Sequence, residues 1–245
     1  MIKMLDELKK AFFIAKKDLK EYYFKPPTIS WGIMFPIVFV FAFLIREGNK
    51  LWLIPGLLTL SIFFGTTSMS AASIIFERRM ESFDRLLLFP ISYYGIALGK
   101  TLSSFFFGLL SSAITLATIW ILFPVPIHNI LLLTICIIGS ALQFSSIGVL
   151  LSFAVKDPMQ SMTVFNSIRF PIIFLSNMII PIKKLPAYML LVPLAIPVTY
   201  SVESIRYSLL GTYDIVPPTI SITIIFASYL AFLYITGLLI RKNIP

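Results

Sequence analysis

The sequence predicts an all-α integral membrane protein that forms a single domain over residues 1–245. Of these residues, 58% are hydrophobic and only 13% are charged, and apolar runs of about 20 residues recur along the chain. The charged residues gather in short segments between the runs. A soluble domain of this size needs a polar coat that this composition does not provide, so lipid must surround most of the chain.

Six apolar runs have the length expected of membrane-spanning helices. They lie at residues 28–45, 51–76, 96–123, 130–155, 160–180 and 218–240. The second and third exceed the length that about 30 Å of hydrocarbon requires, so we expect them to tilt or to extend into water. Pro36 lies inside the short first run, where it predicts a kinked helix.

Lysine and arginine residues predict the orientation of the spans. They are abundant before the first span, and alternate loops and the tail add Arg78, Arg79, Arg85, Lys156, Arg241 and Lys242. Because basic residues favour the cytoplasmic side, both termini of this multi-pass cell-membrane protein are expected in the cytoplasm. The net charge of +9 is therefore interpreted as a topology signal, and no nucleic-acid partner is expected.

The first 25 residues predict an amphipathic helix. Apolar residues recur at spacings of three and four along one stripe, with Lys9, Lys16 and Lys20 on its flank. The stripe consists of Leu5, Leu8, Phe12, Ala15, Leu19 and Tyr22. Such a helix is expected to lie along the cytoplasmic interface of the bilayer. The alternative is a solvated helix that packs on another part of the protein.

The segment between the fifth and sixth spans is rich in proline and alternates apolar and polar pieces. Its apolar stretch at 189–197 is too short to cross a bilayer and predicts a re-entrant or outer capping helix. A second short outer helix is expected around residues 200–210. In it, Glu203 and Arg206 stand three residues apart and are expected to pair.

Catalytic and cofactor-binding patterns are absent from the sequence. His128 and Cys136 are each the only residue of their type, which excludes an internal disulfide and a cysteine–histidine metal site. The segment 95–101 resembles a phosphate-binding loop, but three residues rather than four separate its glycines, and no strand precedes it. The chain is therefore predicted not to be an enzyme and to bind no ATP or other cofactor.

Polar residues inside the predicted spans are candidates for a transport pathway. In the fifth span, Arg169 with Asn166 and Asn177 predicts a polar stripe along a pathway or a subunit interface, or else an arginine that extends towards the cytoplasmic surface. In the second span, the small hydroxyl residues favour close helix packing over a pathway for amphipathic cargo. The residues concerned are the hydroxyl residues Thr66, Thr67 and Ser70, together with the neighbouring Phe63. Aspartate and glutamate are absent from every predicted hydrocarbon core, which argues against an ion-driven carrier.

A charged island lies between the second and third spans. It carries Glu77, Arg78, Arg79, Glu81, Asp84 and Arg85, and an apolar patch at 86–89 and Pro90 follow. Acidic and basic groups presented together suit docking to a soluble protein, because complementary charges set the orientation of a partner. A merely solvated turn is the alternative.

The run 77–100 resembles the signature loop of ABC type-2 transporter permeases. That loop reads approximately E-[RK]-E-x-G-T-[LI]-E-x-L-L-x-x-P-[LIV]-S, followed by L-G-K. The matching residues are Glu77, Arg78, Leu86, Leu87, Pro90, Ile91, Ser92, Leu98, Gly99 and Lys100, whereas Arg79 and Glu81 depart from the pattern. The outer segment around Pro181, Leu185-Pro186 and Pro197-Val198-Thr199-Tyr200 is similar to a second stretch of that family.

The resemblance implies the permease subunit of an ATP-driven exporter of drugs, lipids or lipid-linked glycans. It implies a second permease copy or a homologous permease as partner, and a soluble ATPase that holds ATP and Mg²⁺. The charged island would form a cytoplasmic coupling helix on that ATPase. The second and fifth spans of both copies would meet around the pathway, which places Phe170 near it with the polar residues named above. The short chain without a fused ATPase favours a bacterial or archaeal source.

Two other functions remain open from the sequence. One is a non-transporting membrane anchor or regulator of an ATPase, whose docking loop would look the same. The other is an ion-driven secondary carrier. If the island docks on an ATPase, exchanging charges with Glu77→Lys and Arg78→Glu is expected to abolish ATP-coupled transport without preventing insertion.

Overall fold

The computed structural model describes residues 2–45, 50–123, 125–155 and 157–243, and every regular element in these ranges is helical. The α-helices are α1 (Ile2–Tyr22), α2 (Pro26–Ile29), α3 (Phe35–Ile45), α4 (Lys50–Arg79), α5 (Ser82–Leu87), α6 (Tyr93–Leu122), α7 (Ile130–Ala154), α8 (Pro158–Leu175), α9 (Leu191–Ala195), α10 (Pro197–Leu210) and α11 (Pro218–Asn243). Lys156, one of the basic residues that predicted the orientation, lies outside the described residues. The all-α prediction is confirmed for these ranges.

Four helices have the length and apolar composition needed to cross a membrane: α4, α6, α7 and α11. They correspond to the second, third, fourth and sixth predicted spans. The first and fifth predicted spans contain the shorter apolar helices Ser30–Phe43 and Thr163–Leu175. A complete crossing by these two stays a prediction.

The first predicted span is irregular close to Pro36. Between α2 and α3 the chain forms a π-helical turn at Ser30–Met34. Because proline has no N–H, it gives no helical hydrogen bond to the carbonyl of Gly32, four residues earlier. The hydroxyl of Ser111 in α6 donates to that carbonyl at 2.6 Å. The irregularity therefore lies one turn before the proline and is stabilised by a neighbouring helix.

The fifth predicted span ends five residues earlier than residue 180. Helix α8 stops at Leu175, and Asn177 adopts a left-handed conformation with φ of 65°. The side-chain carbonyl of Asn177 accepts a hydrogen bond from the N–H of Ile182 at 3.0 Å. The predicted span was too long because Met178–Ile180 is hydrophobic, although these residues are not helical. The polar side chain of Asn177 ends the helix instead.

Helix α4 is the centre of the bundle and packs against α6 and α7. Small residues allow the close approach to α6. A Cβ atom on Gly65 would lie 2.7 Å from the Cβ of Ser111, and one on Gly108 would lie 2.2 Å from the Cγ2 of Thr66. The hydroxyls of Ser61 and Thr115 form a hydrogen bond of 2.6 Å across the same interface. Side-chain size and hydrogen bonding thus position α4 between its neighbours.

Helix α1 has two faces with different surroundings. One face packs on α6 and buries Ala11, Ile14, Ala15, Asp18 and Tyr22. A second, exposed face carries Leu5, Leu8 and Phe12, and at 100° per residue it lies about 100° around the helix from the first. Ala15 and Tyr22, predicted on the lipid-facing stripe, belong to the buried face. Helix α1 therefore packs on another part of the protein, as the alternative interpretation expected. It also keeps an exposed apolar stripe that can lie on a bilayer interface.

The segment between α8 and α11 forms short helices, as expected, and their place on the outer side of the membrane stays a prediction. Helix α9 has only five residues, so it caps the bundle and cannot cross it. Helix α10 follows directly, with Pro197 in its first turn, and ends at Gly211, whose φ is 70°. It packs against α7, α11 and α4, which buries most of its side chains. The predicted helix around 200–210 is thus confirmed and begins slightly earlier.

Candidate functional site

The charged island folds as the end of α4, a tight turn and the six-residue helix α5. Glu81 makes the turn with a φ of 54°. Phe83 and Leu86 anchor α5 by packing into the protein. The residues that remain exposed combine charges of both signs with apolar side chains, and we call this set the α5 surface. It consists of Arg79, Met80, Glu81, Asp84, Arg85, Leu88 and Phe89.

Glu77, predicted to dock on a partner, lies inside the protein. Only 1% of its surface is exposed, and one carboxylate oxygen lies 2.5 Å from the Nζ of Lys100 in α6. Its other oxygen contacts the Nζ of Lys17 in α1. The Nζ of Lys100 also lies 2.9 Å from a carboxylate oxygen of Asp18. We call these four residues the ion-pair cluster; it joins α1, α4 and α6.

The ion-pair cluster has zero net charge but contains three side chains that are almost fully buried: Asp18, Glu77 and Lys100. Burial raises the pKa of Asp18 above its ordinary value, against the opposing effect of the Lys100 charge. Burial would lower the pKa of Lys17, but the carboxylate of Glu77 outweighs it and raises that pKa. Each charge therefore depends on the others, since desolvation is costly unless it is matched by pairing.

Arg78 also faces inwards. Its guanidinium donates to the main-chain carbonyls of Ser152 and Val155, at 3.0 and 2.8 Å, and so caps the C-terminal end of α7. The structure thus gives Glu77 and Arg78 internal contacts, and their role in coupling to a partner stays a prediction. An exchange of their charges would disrupt the ion-pair cluster, so a test of docking has to use the α5 surface instead.

Gly99 and Lys100 of the Leu-Gly-Lys motif act together in this site. A Cβ atom on Gly99 would lie 2.8 Å from the Cβ of Ile14 and 2.9 Å from the carbonyl oxygen of Ala11. The absence of a side chain at Gly99 lets α1 approach α6 closely. That approach brings Asp18 of α1 within reach of Lys100, the residue that follows Gly99 in α6.

We expect Gly99→Ala to lower the free energy of unfolding by about 1–3 kcal/mol, because α1 must shift away from α6. Thermal unfolding of the detergent-solubilised protein measures the change. Gly139→Ala is the matched control, since the atom nearest to its new methyl group is the Cγ2 atom of Ile225, which is farther away at 3.1 Å and belongs to a side chain rather than to the backbone. Equal stability of the two variants would contradict the proposed close contact.

The polar residues of the second predicted span lie in helix contacts. Phe63 packs edge-on against Phe144 of α7, with ring centroids 5.3 Å apart. The hydroxyls of Thr66 and Thr67 donate to carbonyls one turn earlier in α4. Ser70 donates to the hydroxyl of Ser104 in α6 at 2.7 Å. Their positions agree with the packing interpretation, while a pathway between two copies stays a prediction.

Arg169 lies at mid-depth in the bundle. Its guanidinium carbon is 4.5 Å from the ring centroid of Phe64 and 4.8 Å from that of Phe165. Phe64 lies near the middle of α4, about 20 Å from either helix end at 1.5 Å per residue. Only 4% of Arg169 is exposed, so its side chain does not extend to the helix end. Nearby, Asn166 is half-buried, and Phe170 is exposed on the outer face of α8.

A second polar cluster lies in the segment between α8 and α11 and includes Asn177. The amide of Asn177 donates to a carboxylate oxygen of Glu203 at 2.5 Å and to one of Asp214 at 3.1 Å. The Nε of Arg206 lies 4.0 Å from Glu203 and 3.5 Å from Asp214. Its guanidinium also stacks on the ring of Trp52 at 4.3 Å. The predicted pair of Glu203 and Arg206 therefore exists as part of a larger network, the outer cluster.

The sequence reasoning missed several members of both clusters. Asp18 is a carboxylate in register with the apolar residues Ala11, Ile14 and Tyr22 of α1, and Lys100 lies inside an apolar helix. Each is an ionisable group at a position that the helical period assigns to the interior. That mismatch was a usable signal. Asp214 lies in an irregular segment, where no periodicity could have placed it beside Arg206.

Comparisons with known proteins agree with the resemblance. A sequence model of the family described as "ABC-2 type transporter" matches residues 10–210. The chain is 24% identical over 222 residues to "Putative transport permease ycf38" of Cyanophora paradoxa, covering 82% of this chain and 74% of that protein. It is 23% identical over 228 residues to "Inner membrane transport permease YadH" of Escherichia coli K12, covering 89% and 87%. The family match therefore extends over most of the chain, including the α5 surface and α10.

Proposed function

This chain belongs to the ABC-2 type transporter family, and from that premise we propose that it is the membrane subunit of an exporter driven by a separate soluble ATPase. Two permease subunits, either two copies of this chain or this chain and a homologous permease, move an amphipathic molecule out of the cytoplasm. ATP and Mg²⁺ bind to the ATPase. Both termini and the α5 surface face the cytoplasm, where basic residues are concentrated.

The α5 surface is the observation that carries this proposal. It presents Asp84 and Arg85 beside the exposed apolar side chains Leu88 and Phe89, of which 86% and 66% are exposed. Mixed charges fix the orientation of a protein partner, and apolar side chains supply binding energy when they are covered. A lipid-facing or solvated turn has no need for this combination on a helix anchored by Phe83 and Leu86.

The contacts behind the α5 surface connect it to the membrane helices. The hydroxyl of Ser82, the first residue of α5, lies 3.3 Å from the main-chain carbonyl of Glu77 and donates to it. The carboxylate of Glu77 holds Lys17 and Lys100, so a displacement of α5 acts on α1, α4 and α6 together. An ATPase whose affinity for the α5 surface changes with its nucleotide state would shift the bundle between two conformations.

The decisive experiment reverses two exposed charges with Asp84→Arg and Arg85→Glu. The ATPase that co-purifies with the wild-type chain is reconstituted with each variant, and transport and ATP hydrolysis are measured. We expect ATP-coupled transport to fall about tenfold or more, because like charges then meet across the contact. Insertion and thermal stability are expected to stay unchanged, since both side chains are exposed. Lys242→Glu, which changes an exposed charge at the end of α11, is the control.

Each outcome has a defined meaning. Full coupling in the Asp84→Arg, Arg85→Glu variant would contradict docking through the α5 surface. A complex that hydrolyses ATP but moves no cargo would establish an anchor or regulator instead of an exporter. Transport that follows an ion gradient without any ATPase would establish a secondary carrier.

A further inference from the structure

Arg169 is a buried cation without an anionic partner in the described part of the chain. Its Nε has no hydrogen-bond partner there, and aromatic rings of Phe64 and Phe165 flank the guanidinium. Cation–π contacts replace only part of the hydration that a guanidinium loses on burial. The remaining N–H donors therefore favour an anion.

The sequence contains no acidic residue that could serve Arg169 at this depth. Of the 11 aspartates and glutamates in the chain, none lies in 86–156, in 158–202 or in 48–76. The carboxylates nearest to α8 along the chain are Asp157, one residue before its start, and Glu203 in the outer cluster. A second copy of this chain carries the same sequence, so a homodimer supplies no intramembrane carboxylate either. The anion must come from another molecule.

The surroundings of Arg169 define what kind of molecule fits. Helices α3 and α8 both pack on α4, and Phe64 contacts Phe35 of α3 on one side and Arg169 on the other. The outer face of α8 exposes apolar side chains both before and after the position of Arg169 along the helix. They are Val164, Ile168, Phe170 and Phe174, each between 36% and 44% exposed. At 100° per residue, Ile168 and Phe170 flank Arg169, and Val164 and Phe174 lie farther round the helix. A ligand whose charged group reaches Arg169 between α4 and α8 therefore places its apolar tail over a flank of α8.

We propose that Arg169 is the headgroup-binding residue of a site for an anionic amphiphile with a phosphate or carboxylate group. A planar guanidinium binds two oxygens of such a group at once, which lysine cannot do. The ligand is the cargo if the proposed exporter function holds, since it lies between the two helices that the resemblance places beside the pathway. Binding itself does not depend on that function.

The test measures binding of dodecyl phosphate to the purified chain in dodecyl maltoside micelles, by thermal unfolding and by native mass spectrometry. Wild type is expected to gain thermal stability and to retain bound dodecyl phosphate. Arg169→Gln is expected to bind it about tenfold more weakly or worse, because one charge-assisted contact is lost. Arg241→Gln removes an exposed arginine and is the matched control. Arg169→Lys, which keeps the charge but not the fork of donors, is expected to fall between wild type and Arg169→Gln.

Stability without ligand separates binding from a structural role. Because Arg169 is buried without a counter-ion, Arg169→Gln is expected to unfold at the same temperature as wild type or higher when no anion is present. A large loss of stability without ligand would make Arg169 a structural residue and overturn the proposal. So would equal binding of dodecyl phosphate to wild type and Arg169→Gln.

The remaining outcomes identify other occupants. Inorganic phosphate that binds as tightly as dodecyl phosphate would indicate a site for free anions and overturn the proposal that the ligand is an amphiphile. Loss of a dimer in Arg169→Gln with unchanged dodecyl phosphate binding would indicate a subunit contact. These measurements need neither ATPase nor transport, so their failure leaves the exporter function standing. Failure of the α5-surface experiment likewise leaves this binding site standing.

Discussion

Replacing Lys100 with methionine is expected to lower the free energy of unfolding by about 3–5 kcal/mol, because it leaves two carboxylates together in a buried site. Methionine retains the apolar stem of lysine, so the loss reports the missing charge and not a cavity. Lys17, whose side chain is 38% exposed, then faces Asp18 and Glu77 alone. The buried thiol of Cys136 offers the measurement: a thiol-specific dye reacts with it as the heated protein opens.

Two variants show whether the charge is responsible. Lys10→Met removes a partly exposed lysine of α1 that pairs with Asp6 and donates to the carbonyl of Pro90, and it is expected to cost less than about 1 kcal/mol. The triple variant Asp18→Asn, Glu77→Gln, Lys100→Met removes the stranded carboxylates and is expected to recover at least half of the loss. If Lys100→Met were as stable as Lys10→Met, the ion-pair cluster would contribute nothing to holding α1 on the bundle.

The second large effect is expected at the outer cluster. Arg206→Met removes the cation beside Glu203 and Asp214, together with the contacts to Trp52 and to the main-chain carbonyl of Asn177. We expect the free energy of unfolding to fall by about 3–5 kcal/mol. The N-terminal end of α4 and the turn after α8 lose their common partner, so limited proteolysis is expected to cut first near residues 177–190.

Lys183→Met is the matched control for Arg206→Met. Lys183 also pairs with Asp214, at 3.0 Å, but its side chain is 64% exposed, so its loss is expected to cost less than about 1 kcal/mol. Burial would raise the pKa of Asp214, but its hydrogen bond from Asn177 and the charge of Arg206 lower it below the ordinary value of 3.8. This carboxylate therefore stabilises the fold above that pH and ceases to do so as the pH falls through the lowered value. Similar acid stability in Arg206→Met and wild type would contradict that role.

Most of the helices followed from the sequence because a bilayer leaves the backbone few alternatives. Without water to satisfy its N–H and C=O groups, an apolar run of 25 residues folds as a helix, and 130–155 matches α7 to within one residue. Composition did not predict helix ends that depend on the conformation of a single residue. At Asn177, a left-handed residue ends α8 inside an apolar run, and no hydropathy pattern distinguishes it from a residue in the span.

The site was predicted less well than the fold, for a different physical reason. Charged residues in a hydrophilic loop look exposed, so Glu77 and Arg78 were placed on the docking surface with Asp84 and Arg85. Whether such a residue faces water depends on partners that are distant in the sequence. Glu77 finds Lys100 on α6 and Lys17 on α1, and Arg78 finds the end of α7. The side chains of the α5 surface, from Arg79 to Phe89, are the ones that lie exposed.

The two faces of α1 have a consequence for synthesis of the protein. Asp18 is made first, but Lys100 follows it by 82 residues, which takes about 4–16 s at 5–20 residues per second. During that interval the carboxylate of Asp18 has no buried partner, and only the apolar stripe of Leu5, Leu8 and Phe12 can hold the nascent segment at the membrane. Helix α1 therefore docks after α6 has been inserted, and the first helix to leave the ribosome is among the last to reach its place.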